Sequence, residues 1–85
     1  MIFHIEVHSR DRQIEHYVVP NCSTEEAAIQ RICQFYVDRG QRIGVWDRET
    51  DRNNLRLPYL IFRVEELPGD PVVYITGEYR SSFPI

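Results

Sequence analysis

The chain has 85 residues, 42% of them hydrophobic and 27% charged, with a net charge of −3. That is enough for one hydrophobic core and too little for two, and the composition fits a soluble folded domain rather than a disordered or membrane-spanning chain. Ten Arg occur without a single Lys, which removes the Walker-type phosphate loop, Schiff-base chemistry and Ser–Lys dyads, all of which need a compact ammonium.

Residues 2–8 alternate, with Phe3, Ile5 and Val7 on one side and His4, Glu6 and His8 on the other, the pattern of a half-buried strand. The polar stretch from Ser9 to Arg12 turns the chain, and residues 13–19 return as the second arm of a hairpin. A two- or four-residue loop would set Val7 opposite Ile14, Ile5 opposite His16 and Phe3 opposite Val18. His16 then shares the core side with Ile5, away from His4 and His8.

Pro20 and Asn21 break the strand, and Ser23-Thr24-Glu25-Glu26 reads as a capping box that opens a helix over residues 24–39. At about 100° per residue, Ala28, Ile29, Ile32, Cys33, Phe35 and Tyr36 share one arc, while Gln30, Arg31, Gln34 and Asp38 lie outside it. Glu25 and Glu26 suit the positive end of the helix dipole, Arg39 suits the negative end, and Gly40 supplies the left-handed stop.

Residues 43–48 form a short strand, followed by a polar loop over 49–54. Residues 55–66 are extended, with Pro58 making the first part an edge or a bend. The turn Pro68-Gly69-Asp70-Pro71 then leads to a last strand over residues 72–80. In that hairpin Leu60, Phe62 and Val64 form a core side. Tyr59, Ile61, Arg63 and Glu65 face outward, beside Tyr74, Thr76, Glu78 and Arg80.

The expected order is therefore β-β-α-β-β-β. The fold class is α+β, a two-layer arrangement of an antiparallel sheet with one helix packed on one face. Residues 1–85 read as a single domain, with residues 81–85 a tail that is either docked or loose.

Chemistry-bearing groups are sparse. His4 and His8 share a strand side but lie about 13 Å apart at ~3.3 Å per residue, too far to hold one ion, so no metal is expected. The acidic run at Asp47, Glu49 and Asp51 opens like a calcium loop, but Arg52 stands where Gly is needed and Pro58 where a bidentate Glu is needed. Cys22 and Cys33 are separated by roughly 15 Å of helix rise, beyond disulfide reach, so both thiols are expected free. Cys22 at a helix start is the one candidate nucleophile, but no pattern sets a His base beside it.

These features lead to a non-catalytic, cofactor-free protein-binding module of the inhibitor, regulator or accessory-subunit kind. The expected contact surface is the outward sheet face: Tyr59, Ile61, Arg63, Tyr74 and Arg80, with Trp46 as a neighbour. Arg and aromatic side chains of this kind are enriched at protein interfaces. The partner is another protein or a second copy in a homodimer. Two alternatives stand beside this reading. One is a small enzyme using Cys22 or a His. The other is a nucleic-acid-binding regulator acting through local Arg clusters, which the acidic balance disfavours, because such affinity comes from basic groups displacing counterions. No stretch approaches the ~18 apolar residues of a membrane span and the N-terminus lacks a basic segment followed by an apolar one, so a cytoplasmic location is expected.

Overall fold

The computed structural model describes residues 1–49 and 57–68. They form four strands and one helix: β1 (Ile2–Ser9), β2 (Ile14–Val19), α1 (Glu25–Val37), β3 (Ile43–Val45) and β4 (Tyr59–Leu67). The strands lie in the order β2-β1-β4-β3, with the helix packed on one face. Among the described residues the α+β class holds, with one helix packed on the sheet. The sheet, however, is mixed rather than antiparallel, because β3 runs parallel to β4 with Ile43 beside Tyr59 and Val45 beside Ile61. The expected last strand, its turn, the polar loop beyond Glu49 and the tail lie wholly or largely outside the described residues.

The β1–β2 hairpin is closed by a three-residue turn, Arg10, Asp11 and Arg12. Arg12 N–H donates to Ser9 C=O and Ser9 N–H donates to Gln13 C=O. Arg12 takes the left-handed conformation (φ 68°) that ends such a turn. An odd loop length shifts the pairing by one residue from the expected register, giving Phe3↔Val19, Ile5↔Tyr17, Glu6↔His16 and Val7↔Glu15. Every β2 side chain therefore changes sides. Tyr17 and Val19, not His16 and Val18, lie beneath the helix.

The helix begins one residue later than expected. Thr24 is the cap, its Oγ1 accepting from Ala27 N–H at 3.1 Å, so no Glu occupies the third helical position and the reciprocal half of a capping box does not form. Gly40 ends the helix as expected, with φ 74° and its N–H on Val37 C=O. The Arg39 guanidinium donates to Phe35 C=O, satisfying a terminal carbonyl at the negative end of the dipole.

The main core lies between helix and sheet. Phe3, Ile5, Val7, Tyr17, Val19 and Ile61 from the strands meet Ala28, Ile32 and Tyr36 from α1. On the other side of the sheet, Ile2, Val18 and Leu67 form a second buried cluster. The face away from the helix is thus not uniformly open. Val18 is fully buried there, whereas Phe62, toward the opposite end of β4, is 44% exposed.

Candidate functional site

The position of each expected contact residue follows from one irregularity in β4. Glu6 pairs with Arg63 but Val7 pairs with Ile61, so Phe62 is an extra residue, a β-bulge. Before the bulge, Tyr59 and Ile61 point toward the helix; beyond it, Arg63 and Glu65 fall on the reverse face with Glu6 and His4. The expected grouping of Tyr59, Ile61 and Arg63 on one surface is therefore broken. Ile61 is 1% exposed and belongs to the core. Tyr59 packs against Tyr36, ring centroids 4.8 Å apart. Phe62, read as a core residue, is on the surface. Tyr74 and Arg80 lie outside the described residues.

Arg63 and Trp46 do come together at the open end of the reverse face. Phe62 stacks on His8 with centroids 4.2 Å apart and planes within 12°, and Trp46 leans on Phe62 at 5.1 Å. Glu6 holds the other end of this row through a 2.9 Å contact from its carboxylate to His8 Nε2. Trp46 is placed by its backbone, whose N–H donates to Ile61 C=O and continues the β3–β4 pairing by one residue. Val45 beside it is exposed. Arg63 makes an ion pair with Glu65 at 2.9 Å, solvent-exposed enough to be worth little to stability and to leave the guanidinium within reach of a partner. The result is a row of three rings, Trp46 and Phe62 exposed and His8 half-buried, with an adjoining cation.

Toward the sealed end of the same face, His4 Nε2 and His16 Nδ1 approach to 2.8 Å, with the two rings stacked at 5.0 Å. This pair follows directly from the one-residue register shift. Burial, followed by the charge of His16, pushes the His4 pKa down, while Glu65 and Glu6 pull it up and Arg63 again pushes it down. Among the described residues no three His, Cys, Asp or Glu side chains are grouped to hold a metal ion.

The two thiols are free. Cys33 is half-buried and burial pushes its pKa up. Cys22 is buried, with Sγ 3.6 Å from Pro20 C=O and 3.5 Å from Arg31 Nη1. Among the described residues neither thiol hydrogen-bonds a His. No helix among the described residues is long and apolar enough to cross a membrane.

Sequence reasoning also missed a cleft of about 500 Å³ on the helix side, between the C-terminal half of α1 and the β1–β2 hairpin. Its aromatic walls are Tyr17, Phe35, Tyr36 and Tyr59, and its charged groups are Asp11, Glu15 and Arg39. The two-residue periodicity of β2 contained the signal, because Glu15 and Tyr17 share a side, but the expected register turned that side away from the helix.

No protein-family model matches this chain, and neither a curated protein nor a solved structure shows significant similarity to it.

Proposed function

We propose that this chain is a small non-catalytic protein-binding module that docks through the open end of its sheet, with Trp46 and Phe62 as anchors and Arg63 as the polar contact. The observation that carries the reading is the pair of exposed rings Trp46 and Phe62, backed by half-buried His8. Large rings already packed on one another lose little further freedom when a partner covers them, and such anchors with an adjacent Arg are the groups that dominate protein interfaces. The Glu6–His8 contact fixes the row from below and supports its readiness to bind. The non-catalytic reading is supported by the burial of Cys22, which is 3% exposed and so withheld from a substrate.

The partner is another protein, and a second copy of the chain is the first to test. Sedimentation equilibrium across a concentration series, together with affinity capture from native lysate, compares the wild type with Trp46→Ala and Phe62→Ala. Each variant should weaken association by about thirtyfold, the size of a single interface anchor, with the thermal melt still cooperative. A wild type that is monomeric and captures nothing, or variants that associate as it does, overturns the proposal.

A further inference from the structure

The cleft on the helix side faces away from the Trp46 row and is built from a different chemistry. Its four rings meet at steep angles: 65° between Tyr17 and Phe35, 80° between Tyr17 and Tyr36, 72° between Phe35 and Tyr36, and 57° between Tyr36 and Tyr59. Rings set this way pack edge to face or tilted on one another, with centroids 4.8 to 6.0 Å apart, and together line the cleft. Aromatic faces carry negative potential, and several converging on one space favour a cation there. The chain already shows this preference, since the Arg39 guanidinium sits 3.6 Å above the centre of Phe35.

The charges agree. Asp11 and Glu15 line the cleft against Arg39 alone, leaving one net negative charge among its lining groups. Asp11 is engaged by the Ser9 hydroxyl at the hairpin tip, so Glu15 is the carboxylate left to face the space.

A second observation is independent of charge. The hydroxyls of Tyr17 and Tyr36, both on nearly fully buried residues, hydrogen-bond each other at 2.8 Å. That bond uses one proton and one lone pair. The second proton and lone pairs on both oxygens have no partner among the described residues, and buried polar groups of this kind are normally satisfied. A donor-rich cation entering the cleft would meet these acceptors.

We infer that this cleft binds the cationic head of an organic group, a guanidinium or primary ammonium on an apolar stem, with Glu15 as its counter-ion and Tyr17, Phe35, Tyr36 and Tyr59 as its walls. Arg39 is the resident competitor for the same aromatic surface. Burial, the bond to Tyr17 and then the charges of Tyr17, Glu15 and Tyr59 push the Tyr36 pKa up, so the Tyr36 hydroxyl stays neutral and able to donate or accept. The group belongs either to a free small molecule or to an Arg side chain of a peptide, and the two share this recognition.

The test uses N-butylguanidinium and its neutral shape analogue N-butylurea, titrated into the full chain and followed by the ring and amide resonances of Tyr17, Phe35, Tyr36 and Tyr59. The guanidinium should shift these resonances saturably and bind at least about tenfold more tightly than the urea. Glu15→Gln should weaken binding about fivefold, and Arg39→Gln should tighten it by removing the competitor. Both residues are exposed, so both variants should fold. A blocked Gly-Arg-Gly peptide that binds more tightly than N-butylguanidinium assigns the group to a peptide, and one that binds more weakly assigns it to a small molecule. Equal binding of guanidinium and urea overturns the inference. So does an absence of shifts in these rings, or an Arg39→Gln variant that binds more weakly. None of these outcomes bears on the Trp46 row, whose own test reads association and not this cleft.

Discussion

The two faces of β1 are buried by different means. Toward the helix, Phe3, Ile5 and Val7 pack into aliphatic and aromatic neighbours and need nothing but shape. On the reverse side, His4, Glu6 and His8 are held by directional contacts: His4 to His16, Glu6 to His8 and His8 to Phe62. One face is stabilised by area removed from water and should be insensitive to pH. The other depends on protonation states and on the pairing of strands that brings its partners together. The same seven-residue alternation thus encodes an apolar seam and a polar one.

The sharpest way to break this comparison is at the bulge, where neighbouring residues belong to opposite faces. Ile61→Ala should destabilise the fold by about 3 kcal/mol, because it empties a fully buried site, whereas Phe62→Ala should cost less than about 1 kcal/mol. Urea unfolding of the two variants reads the difference directly. Equal losses, or a larger loss at Phe62, would mean that β4 runs without the irregularity and that the exposed ring pair does not exist.

That bulge also marks where the sequence stops being legible. The hairpin, the helix arc, the Gly40 stop and the α+β class follow from periodicity and end signals that act within a few residues. Side-chain phase in β4 does not, because Tyr59, Leu60, Ile61, Phe62 and Val64 are all apolar or aromatic, and either phase offers a plausible core. The parallel β3 pairing is equally silent, since a three-residue strand has no room to show direction. The His4–His16 pair and the aromatic cleft were both hidden by one loop residue. With an even loop, His16 faces the helix; with three residues it faces His4, and Glu15 and Tyr17 take its place. Arg63 stays on the outward side because it follows the extra residue Phe62, whereas Tyr59 and Ile61, which precede it, turn toward the helix.

A smaller effect separates the faces by pH. In the folded protein the His4 pKa is pushed down, first by burial and then by His16, while an unfolded His titrates near ~6.5. Below that value the unfolded chain takes up a proton that the folded chain resists. Stability is therefore complete above about pH 6.5 and is lost as pH falls through the folded pKa of His4. The groups facing this imidazole are His16 on β2, Glu65 and Arg63 on β4, and Glu6 on its own strand; the carboxylates oppose the loss only while they stay ionised. The urea midpoint should fall between about pH 7.5 and about pH 5.5, and His4→Leu should flatten the profile. A wild-type midpoint unchanged over that range would show that the polar seam tolerates charge.

The smallest effect tests the origin of the difference. Arg12 holds a left-handed backbone, which an L-residue with a Cβ adopts at a cost of roughly 1–2 kcal/mol and Gly adopts freely. Arg12→Gly should stabilise the fold by about 0.5–1 kcal/mol, the strain relieved minus the extra freedom Gly brings to the unfolded chain. The three-residue turn and its pairing should remain intact, with cross-strand proton contacts still linking Phe3 to Val19 and Ile5 to Tyr17. A loss of stability would mean that the turn does not need positive φ at this position. The odd loop would then lose its physical reason, and with it the placement of His16 beside His4 and of Tyr17 beside Tyr36. A side chain exposed at the tip of a hairpin thus bears on which residues the sheet presents to the helix and which to its other side.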